Sequence, residues 1–214
     1  MLGKLYLAGK EVPRNEEKAV YWLTQSTEQG NQYAQYLLDH LEENGQIDNT
    51  LIIFTTDHGA FIGHHGLVGK GVFDYEDAVK IPFIASYKGK MPQGVRSQAL
   101  ISLVDIAPTI LGMAGKKIPR CMTGIDQTDV FMGNKKEIRD HVIVENRFQM
   151  TKFYVCTYID KHYKLAFDMN SNEGELFDLK NDPNELINLW NDEKYNEDDV
   201  TKLPLTLPCV VKPC

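Results

Sequence analysis

Cysteine is scarce in this sequence, and its four cysteines are scattered: Cys121, Cys156, Cys209 and Cys214. No Cys-x-x-Cys pair occurs, which argues against a structural zinc site or a disulfide framework. Cys209 and Cys214 lie in a proline-spiced tail, LPLTLPCVVKPC, and read as free thiols, with a tail disulfide as the alternative in an oxidising compartment. No apolar run approaches the roughly 20 residues of a membrane span. An excess of basic residues is also missing: 23 Lys and Arg face 30 Asp and Glu, for a net charge of −7. That balance weighs against nonspecific binding to nucleic acid or anionic lipid, so neither is an expected partner. The opening MLGKLYLAGKEVPRNEEK loses its apolar character at Lys10 and Glu11 and offers no small-residue cleavage site. It does not read as a signal peptide, and a cytoplasmic location is expected.

What is present is globular. With 214 residues, 43% of them hydrophobic and 25% charged, the chain suits one large domain or two small ones. The first 44 residues read as helical: Ala19, Trp22 and Leu23 recur at three-and-four spacing, as do Tyr33, Tyr36, Leu37 and Leu41. Val12-Pro13 before Glu16-Glu17 marks a turn into one helix, Gly30-Asn31 ends it, and a further helix runs from Gln32 to Glu43 before Asn44-Gly45.

From Asp48 the character changes. Leu51-Ile52-Ile53-Phe54 suits a strand buried on both faces, and Ile81-Pro82-Phe83-Ile84-Ala85 predicts a second, with its proline near the start. A glycine-rich loop from Gly59 to Gly71 lies between them, and a helix follows from Leu103 to Met113 with Ser102 as its cap. Beyond residue 140 the pattern becomes hairpin-like. Val142–Val144, Phe153–Tyr158, Tyr163–Phe167 and Glu175–Leu179 predict antiparallel strands, and Asn181-Asp182-Pro183 opens a last short helix through Trp190.

The chemistry concentrates in DNTLIIFTTDHGAFIGHHGLVGKG, residues 48–71. The first strand delivers Asp57 and His58 to its C-terminal end, the edge where open α/β sheets bind ligands. Gly59 lets the chain turn and lets a bound group approach the backbone. A carboxylate beside an imidazole makes half of a divalent-metal site. Lys70, between Gly69 and Gly71, can point at an oxyanion without obstruction. A cation and an ammonium in one pocket suit a tetrahedral anion such as sulfate or phosphate. His64 and His65 read as loop histidines hydrogen-bonded to backbone, with His65 also a candidate substrate contact.

Taken together, Asp57-His58, Gly63, Lys70-Gly71, Tyr75-Glu76 and Ile81-Pro82 resemble the motif of the sulfatases, in the alkaline-phosphatase-like superfamily. Ser102 to Thr109 resembles that family's next helix start. Glu175 to Leu179, Asn181-Asp182-Pro183, Glu185 and Asn188-Leu189 resemble its C-terminal signature. The likeness covers residues 40–192 and corresponds to the C-terminal half of a sulfatase. It implies that Asp57 and His58 bind a divalent ion, calcium first, with manganese or magnesium as alternatives. Lys70 is implied to bind the sulfuryl oxygens and stabilise charge as the ester breaks. The implied substrate is a sulfate- or phosphate-ester small molecule or glycan, with phosphonate and phosphate ester hydrolysis as the alternative activity. The family's formylglycine motif, Cys/Ser-x-Pro-x-Arg, does not occur in these residues, so this chain alone is expected to be inactive.

Residues 2–30 resemble a single Sel-one-type repeat, through Leu2-Gly3, Tyr6, Gly9, Val12-Pro13, Lys18-Ala19, Trp22 and Gly30. One such repeat cannot bury its apolar face alone, which leaves these helices available to a protein partner or makes the chain a non-catalytic interaction module. The expected architecture is α/β. It comprises a helical repeat-like segment (1–40), the C-terminal part of a sulfatase α/β domain (41–140), an antiparallel subdomain (141–192) and a poorly ordered tail (193–214).

Overall fold

A computed structural model describes residues 32–148, 153–171 and 173–195. The repeat-like stretch 2–30 and the tail cysteines Cys209 and Cys214 fall outside the described residues. The described residues fall into two compact units, one of residues 32–52 with 87–89 and one of the described residues from 53–86 and 90–195.

In the first unit, helix α1 (Gln32–Glu43) follows the predicted bounds. Gly45, at φ 63°, takes the left-handed turn that ends it, and the Gln46 N–H returns to the Leu41 carbonyl at 2.8 Å. A 3₁₀ turn at Ile47–Asn49 follows, and Tyr87 donates its hydroxyl to Asn49 at 3.0 Å.

The second unit holds mixed α/β structure. Strands β1 (Ile52–Thr55) and β4 (Phe83–Ser86) neighbour each other in a two-stranded sheet. Between them come the short antiparallel hairpin β2 (Phe61–Ile62) and β3 (Val68–Gly69), then helix α2 (Glu76–Val79). The expectation that β1 is buried on both faces is not met: Phe54 is 61% exposed and Ile84 on β4 is 62% exposed. Their apolar character suits cover on both faces. Among the described residues this sheet has only these two strands, and these two side chains are left exposed.

The predicted helix after Ser102 begins as a 3₁₀ turn, Leu103–Asp105, and continues as α3 (Ile106–Met113). The Asp105 carboxylate accepts the Ser102 N–H at 3.0 Å, the reciprocal bond of a capping box. Asp105 is wholly buried, and it also accepts from the Ile125 N–H at 2.8 Å, the Gln127 amide at 3.1 Å and the Arg139 guanidinium. It therefore ties α3 to the loop leading into α4 (Thr128–Phe131).

The four predicted C-terminal strands form one antiparallel sheet in the order β5 (Val142–Phe148), β6 (Phe153–Ile159), β7 (Tyr163–Asp168), β8 (Gly174–Asp178). Its core is Tyr158, Leu165 and Leu176, against which Ile143, Leu189 and Trp190 pack.

The predicted helix over 182–190 does not form. Side chains there take the backbone donors a helix would use: Asp182 accepts from the Ile187 N–H at 2.8 Å, and Asn188 from the Trp190 N–H at 2.9 Å and the Leu176 N–H at 3.1 Å. Glu185 also stands at φ 56°, outside helical geometry.

Candidate active site and its supports

β1 ends two residues before Asp57, and the chain there is held by local hydrogen bonds. Asp57 Oδ1 accepts the Thr56 hydroxyl at 3.1 Å and the His58 N–H at 3.0 Å. The hydroxyl foremost, then the amide, hold this carboxyl below its usual range. Its second oxygen, Oδ2, lies 3.5 Å from His58 Nε2, and its side chain is 80% exposed.

The ring of His58 is oriented by its other nitrogen. Nδ1 lies 2.7 Å from the Gly59 carbonyl oxygen, which can only accept, so Nδ1 carries the proton and Nε2 presents a lone pair. Lys70 Nζ stands 3.2 Å from that Nε2. Asp57, His58 and Lys70, separated by up to thirteen positions in the sequence, thus converge on one point.

Gly59 is required here for a different reason from the one its sequence suggests. Its φ is not left-handed. A Cβ at this position would run into the Asp77 carbonyl, and the Gly59 N–H bonds the Ala78 carbonyl at 2.7 Å. The close approach is thus by the backbone of α2. Gly63 and Gly69, at φ 96° and 85°, do need glycine for their backbone angles.

The two loop histidines do not bond backbone as expected. His64 Nδ1 pairs with the Asp77 carboxylate. His65 stands in the left-handed region at φ 53° and stacks on Tyr75, with ring centroids 4.1 Å apart. Its Nε2 is buried without a hydrogen-bond partner among the described residues. Its ring contacts are with Tyr75 and His64.

The segment after Lys70 is anchored on all four strands of the C-terminal sheet or on the loop beyond it. Asn146 on β5 donates to the Gly71 carbonyl at 3.1 Å. Thr157 on β6 donates to Asp74 at 2.7 Å, and burial pushes that carboxyl up. Tyr75 donates to Glu175 on β8 at 2.8 Å, and burial with the neighbouring carboxylate raises the phenol. Lys164 on β7, 1% exposed, pairs with Glu76 at 2.9 Å and with the fully buried Glu185 at 2.7 Å. Glu185 also accepts the Glu76 N–H at 2.7 Å. Burial works against ionising Glu76, yet Lys164 and Lys80 outweigh it and hold its carboxyl below the usual range.

Sequence reasoning found Tyr75, Glu76, Glu175 and Glu185 as separate motif residues and missed that they meet. Asn146, Thr157 and Lys164 were missed altogether. A lysine inside the apolar strand Tyr163–Phe167 was the available signal, because a charge there must be paired.

A mixed α/β unit carrying a strand-end Asp-His pair, a loop lysine and a four-stranded antiparallel C-terminal sheet defines the C-terminal portion of an alkaline-phosphatase-like sulfatase. Residues 63–205 match the family model described as N-sulphoglucosamine sulphohydrolase, C-terminal, and the chain belongs to that family. It is 33% identical over 161 residues to an arylsulfatase of Clostridium perfringens, covering 73% of this chain and 33% of that protein. It is 30% identical over 167 residues to an N-acetylglucosamine-6-O-sulfatase of Bacteroides thetaiotaomicron, covering 74% and 30%. A solved structure of a protein in complex with its substrate D-glucosamine-2-N,6-O-disulfate superposes with TM-score 0.72 at 28% identity, over 80% of this chain and 36% of that one. The phosphonate monoester hydrolase of Agrobacterium radiobacter gives 0.70 at 25% identity, over 78% and 36%. The chain spans about a third of the length of these relatives.

Sulfatases of this superfamily use a divalent metal ion. The donor set here fits one in part: a hard carboxylate oxygen and an imidazole lone pair lie 3.5 Å apart. Among the described residues no third histidine, cysteine or acidic side chain completes the group.

Proposed function

We propose that this chain forms the cation- and oxyanion-binding part of a sulfuric ester hydrolase. Asp57 and His58 are the cation ligands, and Lys70 is the group that binds the sulfuryl oxygens. The observation that carries this is the convergence of Asp57 Oδ2 and Lys70 Nζ on His58 Nε2, at 3.5 and 3.2 Å. Calcium is the proposed ion, with manganese and magnesium as alternatives. A bound cation would supply charge neutralisation for the ester's oxygens. Lys70, as a flexible point charge with donors only, suits the developing negative charge on a tetrahedral sulfur. His65, with its unpartnered Nε2, is proposed as a further substrate contact.

The proposed substrate class is a sulfated amino sugar. The N-acetylglucosamine-6-O-sulfatase and the disulfated-glucosamine complex among the relatives support it. A second reading, phosphonate or phosphate ester hydrolysis, is favoured by the Agrobacterium neighbour and is tested alongside. The spacing of residues 2–30 supports a Sel-one-type repeat that docks on a protein partner.

The formylglycine motif does not occur in these residues, so ligand binding rather than turnover is the primary test. Calcium titrated calorimetrically should give heat with the wild-type chain and none with Asp57→Ala. Inorganic sulfate and methylphosphonate titrated into calcium-loaded protein should bind the wild type and not Lys70→Ala, and the tighter anion selects between the two ester classes. Heats equal to those of the variants would overturn the reading.

A further inference from the structure

We propose that Asp74 is a positioning residue for Lys70: its ionised carboxylate keeps the Asn146 amide on the Gly71 carbonyl, and its protonation releases that amide and loosens the loop. The proposal rests on the reading of Lys70 as the anion-binding group. It adds the residue that holds the lysine's loop in place and the condition under which that hold is lost.

The hold begins in the register of the C-terminal sheet. Side chains alternate between its faces, so residues directly opposite each other share a face. Val144 stands opposite Thr157, Thr157 opposite Ala166, and Ala166 opposite Glu175. Asn146 and Lys164, two places along from Val144 and Ala166, lie on that same face. Tyr158, Leu165 and Leu176 make the apolar core on the other. Each strand thus offers one polar side chain to residues 71–76, and Asp74, 6% exposed, lies among them.

The Gly71 carbonyl can only accept, so it is the nitrogen of the Asn146 amide that faces it, at 3.1 Å. That nitrogen carries two hydrogens, and Asn146 also bonds the Asp74 carboxylate. The Thr157 hydroxyl donates to Asp74 Oδ2 at 2.7 Å. Both donors suit a carboxylate that only accepts. A protonated Asp74 brings a third donor to the same place. The Thr157 hydroxyl can receive it by rotating. The Asn146 amide can receive it only by turning its oxygen inward, and its nitrogen then leaves Gly71. The other charges on this face are committed elsewhere: Lys164 favours the ionised Asp74 from β7 but is paired with Glu76 and Glu185, and Glu175 on β8 accepts from Tyr75. Burial is the largest influence on Asp74 and pushes its carboxyl up, so acidification discharges it sooner than an ordinary aspartate. Gly71 directly follows Lys70, so a carbonyl freed there loosens the lysine's own backbone.

Amide hydrogen exchange at residues 70–72, corrected for the intrinsic effect of pH and followed from about pH 4 to pH 7 beside the Asp74 carboxyl-carbon resonance, tests this. In the wild type, protection should fall about fivefold on acidification, the scale of one hydrogen bond, with the midpoint of the Asp74 resonance. Exchange in β6 and β7 should show no such fall. Asp74→Asn, which cannot ionise, should hold residues 70–72 at the lower protection across the whole range. Thr157→Val should keep the profile and move its midpoint up, because a bond to the ionised form is lost. Glu175→Gln, which still accepts from Tyr75, controls for loss of a carboxylate on the same face and should match the wild type. At pH 7, inorganic sulfate titrated calorimetrically should bind Asp74→Asn about fivefold more weakly than the wild type, and Lys70→Ala not at all. Protection that is flat with pH, or that falls equally in Asp74→Asn, would overturn the proposal. So would sulfate affinity equal in Asp74→Asn and wild type, since the loop would then loosen without displacing Lys70. Sulfate binding by neither, with the amides still following Asp74, would overturn the reading of Lys70 as the anion ligand and leave the hold of Asp74 on the loop standing.

Discussion

Tyr75 and Glu175 stand one hundred residues apart in the chain and share a hydrogen bond of 2.8 Å. The phenol lies just beyond the Lys70 loop, and the carboxylate is on the C-terminal sheet. The ring is held on several sides, by His65 at 4.1 Å, Phe73 at 5.7 Å and Phe177 at 5.9 Å between centroids. Burial and the Glu175 carboxylate both raise the phenol, so it remains a donor throughout the neutral range. Tyr75→Phe keeps the packing and removes only the hydroxyl. It should cost about 1 kcal/mol by urea unfolding, more if Glu175 is left dry. A wild-type midpoint would show that water replaces the bond.

Lys164 carries a buried charge inside the C-terminal sheet, 1% exposed. It is sandwiched between Glu76 and Glu185, and the Glu76 N–H adds a bond to the same Glu185 carboxylate. Lys164→Met strands the buried Glu185 and leaves Glu76 to Lys80 alone, and should cost about 3–5 kcal/mol. Adding Glu185→Gln to Lys164→Met should recover part of that loss, because the neutral amide no longer needs a countercharge. If the double variant is less stable than the single one, Glu185 is held by contacts other than this pair.

These two relationships also show what the sequence could and could not reveal. Strand positions were legible because β5 to β8 carry alternating or continuous apolar runs, and the glycine-rich loop marked the Asp57–His58–Lys70 site. The pairing of Tyr75 with Glu175 was not legible, because a polar motif residue looks the same whether it faces solvent or a partner a hundred positions on. The helix expected over 182–190 failed for a related reason. Its acidic and amide side chains cap backbone groups locally, and one of them, Glu185, is drawn inward by Lys164, which periodicity does not register. Phe54 and Ile84 read as core because their apolar character was legible while their cover was not.

Acid stability should reflect two carboxyls moving in opposite directions. Glu76 is held below its unfolded value of 4.5, so its ionised form adds stability above that pH, and the gain disappears as pH falls through the lower folded value. Asp74 is raised above 3.8 by burial, so its ionisation subtracts stability as pH climbs from 3.8 through the higher folded value. Asp74→Asn removes the subtracting group. The stability gained between pH 4 and pH 7, measured by urea unfolding, should therefore be larger in Asp74→Asn than in wild type. An equal or smaller gain would mean that Thr157 already compensates the buried charge.

Two glycines of the loop should answer differently to one methyl group. At Gly59 a Cβ collides with the Asp77 carbonyl, a backbone atom that cannot swing away. Gly59→Ala should cost about 1–3 kcal/mol and disturb the bond to the Ala78 carbonyl. At Gly71 a Cβ meets nothing within 4 Å, and the φ is not left-handed. Gly71→Ala should stay within about 0.5 kcal/mol of wild type in thermal unfolding. Equal costs at both sites would show that the loop, rather than α2, makes the close approach.

Asn146 provides a direct bond from the C-terminal sheet to the loop carrying Lys70, through the Gly71 carbonyl at 3.1 Å. Its register opposite Val155 in the β5–β6 ladder does not depend on its side chain. Asn146→Ala should therefore leave the sheet paired and cost about 1 kcal/mol or less in global stability. Its effect should be local: amide hydrogen exchange at residues 70–72 should quicken severalfold, while exchange in β6 and β7 stays as in wild type. Asn146→Asp offers the discriminating comparison, since a carboxylate cannot donate to the Gly71 carbonyl and should loosen the same amides. If exchange at 70–72 is unchanged in both variants, the loop is held by Asp74 and Tyr75 further along, and Asn146 is dispensable to the placement of Lys70.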